Sequence, residues 1–487
     1  MSVAPALPPR LATASAIVGV FAALVSVGGS PGVGVPLTAL AIAGVLCFSG
    51  GWKRRSRDAA VLGGLGLTLV GMAAIRDAEW LVGIDVLAAL ALGVWAVTGL
   101  DSWSSLAGGL KSAAIASFAA PSNIAGSLAG QMDHSRRQRL GPLLRGSLVG
   151  LMLVLVFGTL FVTADSAFAQ IAGELFERDW DARLWPARAV VAVAVAGLAG
   201  GLLSLQRTGA VVPTGASDVG TDDPFGPRIA LRLKERARSE WFVPLALLDL
   251  LFAAFVFVQI TVLFGGRDHV LTEVGVTYAE YARSGFFQLL AVAFLTLIVI
   301  AIGVHAAQPT TLRDKQLLQV LLGFLCVCTL VILVSAFMRL QLYEEAYGFT
   351  RLRVAVHATI MWLVALFALV GAAGIRMKAA WLPRSVIVLT ATALIAFSLV
   401  DPDRFIAQQN IRRYELTGKI DVEYLSSLSA DAVPALVELP DDKLGCFIEV
   451  FKYRMSFPEP VMSANLSRAR ARSLLQREGA QPEDCAP

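Results

Sequence analysis

The sequence predicts an all-α fold, a polytopic transmembrane bundle of about eleven helices followed by a small α-helical soluble tail. Of the 487 residues, 56% are hydrophobic and only 16% are charged, whereas soluble domains carry about a quarter charged residues. The mean hydropathy is +0.67. Apolar runs long enough to cross a hydrocarbon layer of ~30 Å recur from Leu11 to Val400. Helices satisfy their backbone hydrogen bonds internally, so such runs predict a helical bundle.

The predicted domains are a transmembrane bundle over residues 1–400 and a soluble tail over residues 401–487. The predicted spans are Leu11–Val27, Val33–Phe48, Ala59–Ile75, Trp80–Leu100, Gly146–Ala164, Ala189–Leu205, Trp241–Phe264, Phe286–Val304, Leu317–Met338, Val354–Gly374 and Ser385–Val400. The second span follows the first almost at once, so we interpret the first as a retained span rather than a cleaved signal peptide.

The orientation follows from the Lys and Arg residues of alternate loops. One set of loops holds 21 of them and the other holds 9. Cytoplasmic loops carry the basic excess, so we expect a multipass cell-membrane protein with a cytoplasmic N-terminus and an extracytoplasmic tail. An error of one span would move the tail to the other side. Cys446 and Cys485 both lie in the tail, where an oxidising compartment would allow a disulfide between them.

The sequence lacks the motifs of several functional classes. The net charge of +4 is small for this length and indicates no nucleic-acid partner. The sequence contains no Cys/His cluster at metal-ligand spacing, no phosphate-binding loop after a strand and no zinc-protease helix motif. We therefore expect no cofactor and no metal, and the predicted partner common to all hypotheses is the lipid bilayer.

Ionisable groups inside the hydrocarbon cost ~2.5–3.5 kcal/mol each on insertion scales, so each of them needs an explanation. The candidate intramembrane polar site comprises Asp85, Asp249, Gln259 and His357. The functional interpretation is a proton- or cation-coupled path or a polar pocket. The structural alternative is a set of hydrogen bonds that tie helices together.

A second candidate site lies at the predicted outer membrane boundary, where carboxylates, arginines and tyrosines gather. This outer rim comprises Asp165, Tyr278, Glu280, Tyr281, Arg283, Arg339, Glu344, Tyr347, Arg351 and Arg353. The structural alternative is an aromatic belt with paired interfacial charges. The functional interpretation is a site for a phosphate-bearing lipid head group, because arginine binds phosphate bidentately and carboxylates serve as acid, base or counter-ion.

Four stretches carry a resemblance to a known family. They are Val258–Gly266, Thr277–Phe287, Ala346–Arg353 and Asp421–Leu436. Over roughly Arg145 to Leu436 the chain resembles a bacterial multipass membrane family named as domain of unknown function 4173. The resemblance implies a bacterial cell-membrane protein and supplies no activity.

Three hypotheses about function remain open. The preferred one is transport or handling of a lipid or small solute at the outer face, for which Asp249 is essential. The second is an accessory or scaffold protein that presents its tail to another envelope protein. The third is a membrane-embedded transferase acting on a lipid-linked substrate, for which Glu280, Arg283 or Arg351 is essential. Whether the protein is an enzyme is left open.

Overall fold

The structure is a computed structural model of the full chain. It describes residues 7–49, 57–99, 103–129, 184–208, 238–264, 286–306, 311–376 and 380–477. These residues divide into two compact units, and each is described by itself. Unit 1 comprises residues 1–214 and 422–487, and unit 2 comprises residues 215–421.

All regular structure in the described part of the chain is helical. Unit 1 contains α1 (Pro9–Ser26), α2 (Gly34–Phe48), α3 (Arg57–Gly71), α4 (Glu79–Thr98), α5 (Trp103–Ala129) and α6 (Leu184–Thr208), then α13 (Val422–Ser426), α14 (Val433–Leu436), α15 (Asp441–Met455) and α16 (Leu466–Arg477). Unit 2 contains α7 (Arg238–Phe264), α8 (Phe286–Ala306), α9 (Leu312–Tyr347), α10 (Arg351–Arg376), α11 (Leu382–Val400) and α12 (Pro402–Thr417). Short 3₁₀ turns cover Met72–Ala74, Ala430–Ala432 and Val461–Ser463. The predicted all-α fold class is confirmed.

Ten described apolar helices overlap predicted spans. Seven described helices are long and apolar enough to cross a membrane, namely Pro9–Ser26, Arg57–Ala74, Glu79–Thr98, Ala187–Arg207, Leu312–Tyr347, Arg351–Ile375 and Leu382–Val400. Three shorter apolar helices, Gly34–Phe48, Leu245–Phe257 and Leu289–Val304, lie on three further predicted spans. The predicted span Gly146–Ala164 lies outside the described residues, so the total of about eleven spans stays a prediction.

Helix α5 lies along one end of unit 1. Near its start, Leu106 O accepts a hydrogen bond of 3.1 Å from Nε1 of Trp95, close to the end of α4. Near its end, Ser127 Oγ donates to Leu7 O at 2.9 Å, just before α1 begins. The C-terminal end of α4 and the N-terminal end of α1 therefore lie at the same end of the unit, and α5 contacts both.

The opposite end of unit 1 is covered by the C-terminal helices α13–α16. Asp431 Oδ2 accepts hydrogen bonds from the backbone N–H groups of Asp77 and Ala78 at 2.8 and 2.9 Å. Asn465 Nδ2 donates to Ala73 O and Arg76 O, both at 2.9 Å. The two side chains thus bind backbone groups that have no intrahelical partner at the end of one helix and at the start of the next. The tail thus caps the α3–α4 turn.

Arg468 on α16 is the centre of this contact, and its side chain is only 6% exposed. Its guanidinium forms ion pairs with Asp77 at 2.5 Å and with Glu459 at 2.8 Å. It also donates to the carbonyl oxygens of Pro31, at 3.0 Å, and Ser463. Burial raises the pKa of Asp77 above its ordinary value, although the Ala430 N–H and Arg468 act in the opposite direction. A single side chain therefore joins the tail to both the α1–α2 and the α3–α4 turns.

Unit 2 has its own apolar core, which includes Leu325, Leu333, Leu363 and Phe367 from α9 and α10. Helix α9 begins after the N-cap residue Thr311, whose Oγ1 accepts from the Asp314 N–H at 3.2 Å. It has 36 residues and so measures about 54 Å at 1.5 Å per residue. A hydrocarbon layer of ~30 Å cannot contain it, so α9 continues beyond the predicted span into the predicted outer rim.

The residues predicted as one tail, 401–487, divide between the two units. Asp401 adopts the left-handed conformation at φ 63° and turns the chain from α11 into α12, a conformation that aspartate tolerates better than most residues. Helix α12 belongs to unit 2, and the chain from Val422 onward belongs to unit 1. The predicted domain boundary at residue 400 stays a prediction.

Candidate functional site

The candidate site of unit 2 is built around the three-residue turn between α9 and α10. Helix α9 ends at Gly348, whose N–H donates to Glu344 O at 2.7 Å. Gly348 has φ +79°, and a Cβ atom there would collide with Oδ1 of Asn410. Glycine is thus the residue that the turn requires. The turn brings the end of α9 and the start of α10 together, as the predicted outer rim needs.

Arg351, in the first turn of α10, forms a two-pronged ion pair with α12. Its Nε donates to Asp403 Oδ1 at 2.9 Å, and its Nη2 donates to Oδ2 at 2.6 Å. The Asp403 side chain is fully buried, whereas that of Arg351 is 34% exposed. Fork-shaped arginine–carboxylate pairs are the strongest of the charge-assisted hydrogen bonds in proteins. The guanidinium predicted to bind phosphate is therefore held by a carboxylate of the same unit.

Helix α12 is tied across the same turn by two further side chains. The amide of Asn410 accepts from the Phe349 N–H at 3.0 Å and donates to Phe349 O at 2.9 Å. Arg413 donates to Ala346 O at 2.7 Å and to Glu345 O at 3.3 Å. These contacts use backbone groups that the end of α9 leaves without intrahelical partners. Helix α12 therefore stabilises the turn.

The guanidinium of Arg353 is also held by neighbouring groups. Its Nη1 donates to the carbonyl oxygens of Tyr347, at 3.2 Å, and Gly348. Its guanidinium lies 4.3 Å from the ring centre of Tyr343, within the range of a cation–π contact. For Arg351 and Arg353, the structural alternative of paired interfacial charges is the interpretation that these contacts favour.

The buried Glu344 and the partly buried His357 form a pair just inside the turn. Oε1 of Glu344 lies 3.2 Å from Nδ1 of His357, and the glutamate side chain is 2% exposed. The His357 ring packs edge-on against Phe337, with ring centres 4.7 Å apart. Nε2 of His357 is buried and has no hydrogen-bond partner among the described atoms. The imidazole thus gives the buried carboxylate a polar partner within an otherwise apolar part of unit 2.

Asp249 is the second buried carboxylate of unit 2, on α7, and is 7% exposed. It shares a buried helix face with Leu245 and Phe252 and lies close enough to Cys328 on α9 for an electrostatic interaction. Within the described residues, its Oδ1 atom has no hydrogen-bond donor. A carboxyl group in such surroundings is expected to carry a proton or to meet a cation or a polar solute.

The predicted intramembrane polar set is divided between the two units. Asp85 is fully buried on α4 of unit 1, whereas Asp249 and His357 belong to unit 2. The side chain of Gln259 lies outside the described residues. Of the predicted set, unit 2 thus contains the two described members Asp249 and His357.

Of the predicted outer rim, the described residues are Arg339, Glu344, Tyr347, Arg351 and Arg353, and all lie on α9 or α10 within unit 2. Arg339 is half-buried on α9, two turns before the helix ends. Asp165, Tyr278, Glu280, Tyr281 and Arg283 lie outside the described residues, as do Cys485 and the side chain of Cys446. The predicted disulfide stays a prediction.

Sequence reasoning missed several residues that organise the two units. In unit 2 they are Asp403, Asn410 and Arg413, and in unit 1 they are Asp77, Asp431 and Arg468. One signal for a buried Glu344 was available, because Ala336, Leu340 and Glu344 recur at intervals of four residues and are all buried. Among the described residues, no group of three or more His, Cys, Asp or Glu side chains is arranged to hold a metal ion.

Comparison with known proteins gives a family without an activity. No curated protein and no solved structure matches the chain. The family profile described as "Domain of unknown function (DUF4153)" matches residues 60–439. This corrects the resemblance to domain of unknown function 4173, since the stretches that carried it lie within the matched residues and yet belong to a different family. Because the match covers more than half of the chain, this protein belongs to the DUF4153 family.

Proposed function

We propose that this DUF4153 protein is a multipass cell-membrane protein that transports or handles a small solute or lipid at the outer face, coupled to a proton that unit 2 carries. The observation that carries the proposal is the burial of Glu344 against His357, at 2% exposure, whereas the adjacent Glu345 is exposed. Asp249 supplies a second buried carboxyl group in the same unit.

The energetic argument concerns where the carboxyl groups lie. A charged group in the hydrocarbon costs ~2.5–3.5 kcal/mol on insertion scales, and such residues most often mark ion or substrate paths. A purely structural carboxylate in this setting is expected to have donors on its oxygens. Within the described residues Asp249 Oδ1 has no donor, and neither does Oε1 of Glu344 apart from the contact with His357. Each group thus has a buried oxygen that is open to a cation or a polar solute during a transport cycle.

The transferase hypothesis has less support. It needs an arginine free to bind a phosphate-bearing substrate, and Arg351 is held by Asp403 while Arg353 is held by backbone carbonyls and Tyr343. Proton-coupled transport needs no free arginine at the rim. The phosphate-bearing lipid as a partner stays a prediction.

The transport proposal is tested in liposomes that contain a pH-sensitive dye. Purified protein is exposed to single classes of solute: amino acids, sugars, nucleosides and glycerophosphodiesters. We expect one class to drive acidification of the interior, and Asp249→Asn and Glu344→Gln to abolish it. Glu345→Gln is the matched control, because it removes an exposed carboxylate one residue away. Proton movement that persists in Asp249→Asn, or that no solute elicits, would contradict the proposal.

We also propose a cytoplasmic N-terminus and an extracytoplasmic tail. The support is that α13–α16 cap the α1–α2 and α3–α4 turns, while the basic run of the sequence ends at Arg57, the first residue of α3, at the other end of that helix. The side of the tail then follows from the positive-inside rule and does not depend on the number of spans between.

The orientation is tested by labelling intact cells with a membrane-impermeant maleimide. The variant Ser473→Cys places a thiol on the exposed face of α16, with Cys446 and Cys485 replaced by serine. The exposed Cys47 at the end of α2 is the internal control. We expect labelling at residue 473 before lysis and at Cys47 only after lysis. The reverse pattern would overturn the orientation.

The accessory role is the second candidate, and the docked tail is the observation that favours it. A tail held against the ends of spanning helices presents the exposed faces of α15 and α16 in a fixed position. Chemical cross-linking in intact cells, followed by mass spectrometry of the full-length protein, tests this role. A partner captured through the tail, together with liposomes that show no solute-driven proton movement, would favour it over transport.

A further inference from the structure

The exposed apolar side chains of the tail are concentrated in one segment. They are Val461, Tyr453, Leu466, Phe457 and Met462, at 84%, 69%, 63%, 59% and 37% exposure. All exposed large apolar side chains within the described residues 422–477 lie in this stretch, which we call the apolar tail segment (Tyr453–Leu466). On α15 the side chains of Leu444, Phe447, Ile448 and Phe451 are buried. The exposure therefore belongs to a defined part of the tail.

The apolar tail segment is attached to the turn between two spanning helices. The Val33 N–H donates to Ala464 O at 3.0 Å. At Gly29 and Gly32 an added Cβ atom would collide with Ser463, so the two backbones are in direct contact. The 3₁₀ turn Val461–Ser463 thus sits against the C-terminal end of α1 and the start of α2.

This attachment sets the depth of the segment relative to the bilayer. Helix α1 has 18 residues and so measures about 27 Å at 1.5 Å per residue. The hydrocarbon layer is ~30 Å thick, so the end of α1 lies at the hydrocarbon boundary. A segment bonded to that end lies in the head-group layer. The lipid-facing surface continues up to it, because Leu24, two residues before the end of α1, is 59% exposed.

The charges around the segment suit the same environment. Residues 449–477 contain six Lys and Arg residues and two Glu residues. One of the glutamates, Glu459, is neutralised by Arg468 and Arg472 within the tail. Lys452 and Arg470 are exposed on the helices that flank the segment. Apolar side chains bordered by basic ones are typical of surfaces that lie in the membrane interface beside phosphate groups.

We propose that the apolar tail segment is an interfacial membrane anchor, inserted into the head-group layer beside the ends of α1 and α2. The occupant of this surface is the lipid of the same bilayer that unit 1 crosses. Arg468 and Asp431 hold the tail to the helix turns, and Phe457, Val461 and Leu466 hold its edge to the lipid. The proposal is independent of the transport activity and of which side of the membrane the tail occupies.

The test measures the depth of spin labels in the full-length protein, reconstituted in liposomes of phosphatidylcholine and phosphatidylglycerol. A nitroxide is attached to a cysteine at position 461, 457 or 466, with the native cysteines replaced. Collisions with oxygen report lipid, and collisions with a water-soluble nickel chelate report water. Labels at Leu24 and Ser473 give the lipid-facing and water-facing references. We expect labels on the segment to lose collisions with nickel and to match Leu24 rather than Ser473.

Two results would overturn the proposal. The first is a nickel collision rate at positions 457, 461 and 466 equal to that at Ser473. The second is shielding from both probes that appears only when another envelope protein is added, which would make the segment a protein-binding surface. Because Val461 is 84% exposed, a label there replaces little packing. Unchanged resistance of the tail to trypsin in each labelled protein verifies that the docking is intact.

Discussion

Replacement of Arg468 by alanine should release the tail from the ends of the first four helices. The substitution removes ion pairs to Asp77 and Glu459 and donors to two carbonyl oxygens. Breaking a buried ion pair costs about 3–5 kcal/mol, and an exposed one costs about 0–1 kcal/mol. The two carboxylates keep 17% and 20% exposure, and Arg472 still contacts Glu459 at 2.8 Å. We therefore expect a loss slightly below the buried range, about 2.5 kcal/mol.

The assay is hydrogen exchange of the full-length protein in liposomes, read by mass spectrometry. A loss of about 2.5 kcal/mol corresponds to about 60-fold faster exchange of the α16 amides, at 1.4 kcal/mol per tenfold, because these amides exchange through opening of the docked tail. The exchange rate in Arg468→Lys should lie between those of the unaltered protein and Arg468→Ala, since lysine keeps the charge but lacks the forked guanidinium. Arg470→Ala is the control, because Arg470 is exposed on the same helix. Exchange in Arg468→Ala within about threefold of the unaltered protein would refute the reasoning.

Three further predictions follow from named contacts. Burial raises the pKa of Asp77 above the unfolded value of ~3.9, so its contribution to the stability of the docked tail is present below about pH 4 and is lost as the pH rises through the folded pKa. The asparagine of Asp77→Asn does not titrate, so this variant should lose less stability than the unaltered protein between about pH 4 and 7, as measured by denaturant titrations. Equal slopes of stability against pH in the two proteins would contradict this. Gly348→Ala should cost about 1–3 kcal/mol and more than Gly418→Ala, since both have positive φ but only at Gly348 would a Cβ collide with a neighbour; equal thermal midpoints would exclude the collision. Asp403→Asn should destabilise unit 2 by about 3 kcal/mol and so lower the thermal midpoint, and Arg351→Lys should lower it by less. Scanning fluorimetry measures both midpoints, and an unchanged midpoint would mean that the ion pair does not contribute to stability.

The spanning helices were predictable because the hydrocarbon thickness sets the length of an apolar run. Predicted spans such as Leu11–Val27 and Ser385–Val400 differ from the helices Pro9–Ser26 and Leu382–Val400 only at their ends. The outer end of α9 was less predictable from hydropathy. The apolar run stops at Met338, whereas the helix continues to Tyr347, since backbone hydrogen bonds do not depend on side-chain polarity.

The partners of the site residues were not predictable in the same way. Arg351 was predicted at the rim, but Asp403, which binds it, follows 52 residues later. Arg468 and Asp77 are 391 residues apart. No periodicity links residues so distant, so their pairing depends on how the helices pack. The burial of Glu344 rather than Glu345 was predictable from the sequence, because residues at four-residue intervals from Ala336 lie on the buried face of α9.

The docking of the tail also has a consequence for biosynthesis. The α3–α4 turn leaves the ribosome 391 residues before its partner Arg468, and at ~5–20 residues per second this interval is about 20–80 s. During that time the carbonyl oxygens of Ala73 and Arg76 lack the Asn465 amide that later caps them. The first four helices must therefore persist in the membrane in an uncapped state. A chain that terminates before Asn465 would lack both of these hydrogen bonds and would retain that state permanently.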